Sequence, residues 1–241
     1  MALEFSQLDA DDVRSIVEAD GSELSQRYPF VPLSSPGLAE AGPDFVAHAN
    51  ALLPDERQDD PAAVGYMLSA MYLRCLYNPQ GFTFPVQVSG RTEHTQMIPG
   101  HLWGGEAAGP ALPKDENGND KPLKVMVIGK IPAATEMREN RNMCGDNGAE
   151  LIRAANLAGI TDAELREWYV CNIVRWPHLD PKGGALPKTW QADCLPLLQQ
   201  ELRLLKPDYI LCLGAEATKT ICGPRASISG MYGRCVEYKI P

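Results

Sequence analysis

From Lys124 onward the chain repeats one pattern. Three short apolar runs, VMVIG (125–129), WYVCNIV (168–174) and DYILCLG (208–214), are separated by GAELIRAANLAGI (148–160) and TWQADCLPLLQQELRLLK (189–206), which have helical spacing. A run that is apolar at nearly every position suits a strand covered on both faces, and joining such strands through helices makes them parallel. The expected fold is therefore α/β: a three-layer α/β/α sandwich around a central, mainly parallel sheet. A further helix is expected from Ala215 and a short strand over GRCVEYKI (233–240), while Pro196 should kink or break the long helix. Ligands of such sheets lie at the carboxyl ends of the strands. The polar loop after VMVIG, and Asn172 near the end of the second run, both fall on that edge.

The chain before Lys124 is different. DADDVRSIVEA (9–19), PDFVAHANALL (43–53) and PAAVGYMLSAMYLRCLY (61–77) read as amphipathic helices, followed by a short alternating run and a Gly/Pro/Asp/Asn-rich connector. Residues 1–120 are thus expected to form a mostly helical extension, and residues 121–241 the α/β domain. Charge divides at the same place: residues 1–120 carry 18 acidic and 6 basic side chains, residues 121–241 carry 13 and 16. A polyanion would bind the second half. Seven cysteines, none in a CxxC pair and several inside apolar runs, suit packed, reduced thiols. With an acidic start and no apolar stretch long enough for a membrane span, a soluble cytoplasmic protein is expected.

VIGKIPAATEMRENRNMCGDNGAELI (127–152), WYVCNIVRWP (168–177) and LLKPDYILCLGAEATKTI (204–221), in this order and spacing, resemble motif regions of the uracil-DNA glycosylase superfamily. The likeness is to its bacterial and archaeal iron-sulfur branches, including forms attached to phage DNA polymerases, and covers residues 124–240. It implies a bacterial or phage-infected cell and DNA, single-stranded or with a flipped base, as partner. In that family the loop after the first strand positions water beside the glycosidic bond; Gly129, Pro132 and Glu136 match it. Lys130 stands where one branch has a carboxylate. Met143 stands where an aromatic residue stacks on the flipped base, and offers a polarizable thioether without a π-face. Asn172 matches the asparagine that reads the pyrimidine edge, donating and accepting at once. The resemblance therefore assigns Glu136 and Lys130 to the sugar side and Asn172, Met143, Gly129 and Pro132 to the base. Arg138, Arg141, Arg175, Lys182, Lys188 and Lys219 are candidate phosphate contacts, though each also fits an ordinary solvated surface.

Two departures bear on chemistry. The relatives hold an iron-sulfur cluster on four cysteines, one just after the asparagine strand; Trp176 takes that place and only Cys194 matches well, so no cofactor is expected. The family's histidine segment, which stabilises the departing base, is expected beyond the last strand, and none of His48, His94, His101 and His178 lies in such a context. Three functions stay open. A DNA-binding protein with degenerate catalysis would serve replication or repair, with residues 1–120 docking on a DNA polymerase or other replication protein. An active glycosylase would excise uracil or a modified pyrimidine. An unrelated α/β protein would bind a nucleotide at the same edge.

Overall fold

The structure is a computed structural model that describes residues 43–51, 53, 55–60, 64, 67–68, 84–88, 91–105, 109–178 and 186–238. It divides into two compact units, residues 1–97 with 182–197 and residues 98–181 with 198–241. Position 120 falls inside the second unit, and residues 182–197 belong to the first.

In the first unit, helix α1 (Pro43–Ala51) occupies part of the expected PDFVAHANALL helix. Strands β1 (Phe84–Val88) and β2 (Arg91–Thr95) pair antiparallel from Phe84↔Thr95 to Val88↔Arg91. The expected helix at 9–19 lies outside the described residues, as does most of the one at 61–77, where Val64, Met67 and Leu68 are helical and buried.

The second unit holds a four-stranded sheet in the order β3-β5-β4-β6. Its strands are β3 (His101–Leu102), β4 (Val125–Gly129), β5 (Tyr169–Asn172) and β6 (Tyr209–Cys212). Strand β4 pairs parallel with β5 and β6, and β3 adds an antiparallel edge, so the sheet is mainly parallel as expected. Alternation along each strand sends neighbours to opposite faces. Val127 and Val170 enter a cluster with Ala155, Leu165 and Trp168, onto which Leu151 and Ile152 of helix α3 (Asp146–Leu157) pack. Tyr169 and Cys171 point the other way, where the Tyr169 hydroxyl donates to Glu201 of helix α5 (Lys188–Leu205) at 2.8 Å. Each fully buried aliphatic side chain contributes roughly 1.5–3 kcal/mol, so the central strands are the part of the unit most firmly held.

Short elements complete it: α2 (Ala134–Glu139) and α4 (Asp162–Leu165) before β5, then α6 (Ala215–Cys222) and α7 (Ile228–Met231) after β6. Two expectations are corrected. Helix α5 runs on through Pro196, so the proline does not break it. Residues 233–238 are not a strand: they form no ladder among the described residues, and an alternating pattern without a pairing partner has nowhere to place its backbone groups.

Candidate nucleic-acid and base site

The parallel register sets Gly129 beside Asn172 at the carboxyl ends of β4 and β5. Only a glycine fits there: a Cβ on Gly129 would collide with the Asn172 Oδ1 and stand 2.5 Å from the Met143 Cε. The backbone thus brings together three of the residues expected around a base. Met143 has φ of 56°, an uncommon conformation for a side chain of its size. It is clamped from behind, because a Cβ on Gly148 in the first turn of α3 would strike the Met143 carbonyl.

Asn172 is buried, and its Nδ2 donates to the Asn142 Oδ1 at 2.8 Å. Asn142, also buried, donates its own Nδ2 to the Pro99 carbonyl at 2.7 Å and its backbone N–H to the His101 Nε2 at 2.8 Å. His101 Nε2 therefore accepts, so Nδ1 carries the proton and donates to the Leu102 carbonyl at 2.8 Å. Burial first, and then the nearby Arg141 charge, hold the His101 pKa below its ordinary 6.5, outweighing the Leu102 bond that acts to raise it. The imidazole is neutral and both ring nitrogens are engaged. Nothing local in the sequence marks Asn142, one polar residue among many in RENRN, and His101, set aside above with the other histidines, sits in the Gly/Pro connector.

The other expected residues are arranged less uniformly. Glu136 is buried, and its Oε2 accepts from the Ala133 N–H at 3.0 Å, closing the first turn of α2. Its other oxygen faces Gly145, 3.3 Å from where a Cβ would stand. Pro132 is buried one residue before the cap. Lys130 pairs with Glu216 at 3.1 Å. Burial raises the Glu216 pKa, but the bond to Lys130 and the Lys130 and Lys219 charges leave it lowered overall. Arg138 is exposed beside Glu139 at 3.0 Å, Arg141 is half-buried, Lys188 and Lys219 are exposed, and Lys182 lies outside the described residues. Trp103, Arg141, Cys144, Gly145 and Ile152, with His101, are among the residues lining a pocket of about 180 Å³ next to Met143. Cys144 is no ready nucleophile: burial, then Glu136, pushes its thiol up.

Arg175 is the clear correction. It is 1% exposed, and both terminal nitrogens are held by Glu201, Nη1 at 3.0 Å from Oε1 and Nη2 on Oε2. A guanidinium spent on a buried carboxylate does not reach a phosphate. Trp176 is wholly buried as well.

Trp176 stands at the position expected to carry a cluster cysteine, and among the described residues no three His, Cys, Asp or Glu side chains come together as metal ligands. Cys75 lies outside them. The described residues do not fit a four-thiolate cluster. Among the described residues, too, no helix is long and apolar enough to cross a membrane.

A family model described as the uracil DNA glycosylase superfamily matches residues 116–239, just over half of the chain. A Type-4 uracil-DNA glycosylase of Pyrobaculum aerophilum is 30% identical over 123 residues, covering 49% of this chain and 60% of that protein. A Type-4 uracil-DNA glycosylase of Thermotoga maritima is 25% identical over 116 residues, covering 48% and 58%. The matches thus span under two thirds of those relatives. A nucleotide-binding α/β protein of unrelated descent would not match in this way, which removes the third of the expected functions. With Gly129, Met143 and Asn172 gathered at the strand ends of a mainly parallel sheet, the chain belongs to the uracil-DNA glycosylase superfamily.

Proposed function

We propose that this chain binds DNA, single-stranded or with a base turned out of the duplex, and seats a pyrimidine edge on Asn172, with little base excision of its own. The carrying observation is the Asn172 amide, buried and hydrogen-bonded at the carboxyl end of β5 beside Gly129 and Met143. Arg138, Arg141 and Lys219 are the described basic residues of the second unit assigned to phosphates; Lys182 and Lys188 are assigned the same role. Excision needs a donor to the departing base and an oriented water, and loss of one such donor typically costs ~10²–10³ in rate. The groups that would supply these are otherwise engaged: Lys130 by Glu216, one Glu136 oxygen by Ala133, and both nitrogens of His101 by Asn142 and Leu102. Met143 gives the base no π-face. The acidic residues 1–120 are assigned to a protein partner in replication or repair, a DNA polymerase in the first instance.

A second reading is an active glycosylase for uracil or a modified pyrimidine, with Glu136 or Lys130 near the sugar; the two relatives named as uracil-DNA glycosylases favour it. Binding is tested by titrating single-stranded oligonucleotides carrying one uracil or one cytosine over a salt series. The wild type should show a falling log K with log salt and a uracil preference that Asn172→Ala removes without changing the salt slope. Equal affinity of wild type and Asn172→Ala for both oligonucleotides would sink the base-reading role.

A further inference from the structure

We infer that Asn142 is a positioning residue that fixes which atom of Asn172 faces each part of the base, and so sets the discrimination between uracil-like and cytosine-like edges. The inference rests on the DNA-reading function proposed above and adds a residue to it.

An amide's oxygen and nitrogen are nearly the same size, and an unconstrained asparagine can turn over to suit either edge. Here one backbone carbonyl removes that freedom. The Pro99 oxygen can only accept, so Asn142 must place its NH2 there, 2.7 Å away. Its Oδ1 is then directed to Asn172, which must present Nδ2, 2.8 Å away. The Asn172 Oδ1 is left against Gly129, with the Met143 Cε beside it. Turning Asn172 over would set oxygen against oxygen at Asn142, and turning both would set oxygen against the Pro99 carbonyl. The Asn142 backbone is anchored by its N–H bond to the neutral His101, and its side-chain amide is held at both ends, by the Pro99 carbonyl and by Asn172.

With the amide fixed, one N–H of Nδ2 and the lone pairs of Oδ1 are not used by Asn142, and a base admitted beside Met143 would meet them. Uracil offers an acceptor at O4 and a donor at N3, whereas cytosine offers a donor at N4 and an acceptor at N3. A fixed amide matches one of these in a given pose and opposes the other with two repulsive contacts. A mobile amide accommodates both.

The test compares wild type with Asn142→Leu, similar in volume, and Asn142→Ala, which avoids overfilling; both lack the Oδ1. Affinities are measured for single-stranded oligonucleotides that differ only in one uracil, cytosine or abasic position. Exchange of the Asn172 side-chain amide protons is followed by NMR. Wild type should prefer uracil over cytosine by about tenfold or more, the ratio expected for a well-placed pair of hydrogen bonds. The variants should bring that ratio close to one, keep wild-type affinity for the abasic strand, and speed Asn172 amide exchange. Wild-type discrimination in a folded variant, or equally fast amide exchange in wild type, overturns the positioning role and leaves DNA binding standing. Failure of the wild type to bind any of the strands at low salt overturns the DNA reading, and this inference with it.

Discussion

Replacing Glu201 by Gln isolates what the buried charge contributes. The carboxylate is 0% exposed and takes three bonds, two from Arg175 and one from the Tyr169 hydroxyl at 2.8 Å. Glutamine keeps the shape and one carbonyl acceptor but removes the negative charge. Arg175, 1% exposed, then loses the carboxylate charge that holds both of its terminal nitrogens, and breaking a buried pair on one side costs about 3–5 kcal/mol. For a chain of this size, with roughly 2–4 °C of melting temperature per kcal/mol, the loss is on the order of 6–20 °C. Thermal and urea unfolding of Glu201→Gln measure it. The double variant Arg175→Met with Glu201→Leu, made in a Tyr169→Phe background so that the hydroxyl bonded to Glu201 is not left buried without an acceptor, removes both charges, refills the space and should recover most of the deficit. Its DNA binding should keep the wild-type salt slope, because Arg175 touches no phosphate. A single variant within about 1 kcal/mol of wild type, or a double variant no better than the single, would refute the energetic reasoning. A slope shallower by close to one, the signature of one lost phosphate contact, would return Arg175 to the DNA surface.

Other perturbations act nearer the candidate site. Gly129→Ala forces a Cβ against Asn172 and Met143 and should cost about 1–3 kcal/mol while erasing the uracil preference; an unchanged melt would contradict the close approach. Stability should fall as pH drops below 6.5 toward the lowered His101 value, since there the unfolded chain takes up a proton that the folded one refuses. The slope reaches at most about 1.4 kcal/mol per pH unit, and a His101→Gln variant should lack this component in urea midpoints read between pH 7.5 and 5.5. Glu136→Ala should lose about 1 kcal/mol with the acceptor for the Ala133 N–H, whereas Glu136→Gln keeps an acceptor and should melt close to wild type.

What the sequence disclosed follows from how local each signal is. Strands β4 and β5 were legible because their burial is written into consecutive apolar residues, β6 from a like apolar run although it lies half-exposed at the sheet edge, and Gly129 and Asn172 because strand ends of a parallel sheet gather at one edge. Strand β3 was not, being two residues inside a Gly/Pro connector, and α2 was not, because its six residues are fixed by a Glu136 cap and not by an apolar stripe. Arg175 reads as surface charge until Glu201, 26 positions later in a helix, is found against it. Asn142 is equally silent: the carbonyl that orients it belongs to Pro99, 43 positions upstream. For β3, Arg175 and Asn142 the deciding partner is distant in the chain and carries no pattern of its own.

The most direct test of the account is a single-turnover reaction of the purified chain, in excess, with a single-stranded oligonucleotide carrying one uracil, at a salt concentration where binding is shown to be saturated. The account predicts that the strand is bound and stays intact, with abasic sites forming far more slowly than binding equilibrates. Stoichiometric abasic-site formation by the chain alone would contradict it and leave the active-glycosylase reading in its place.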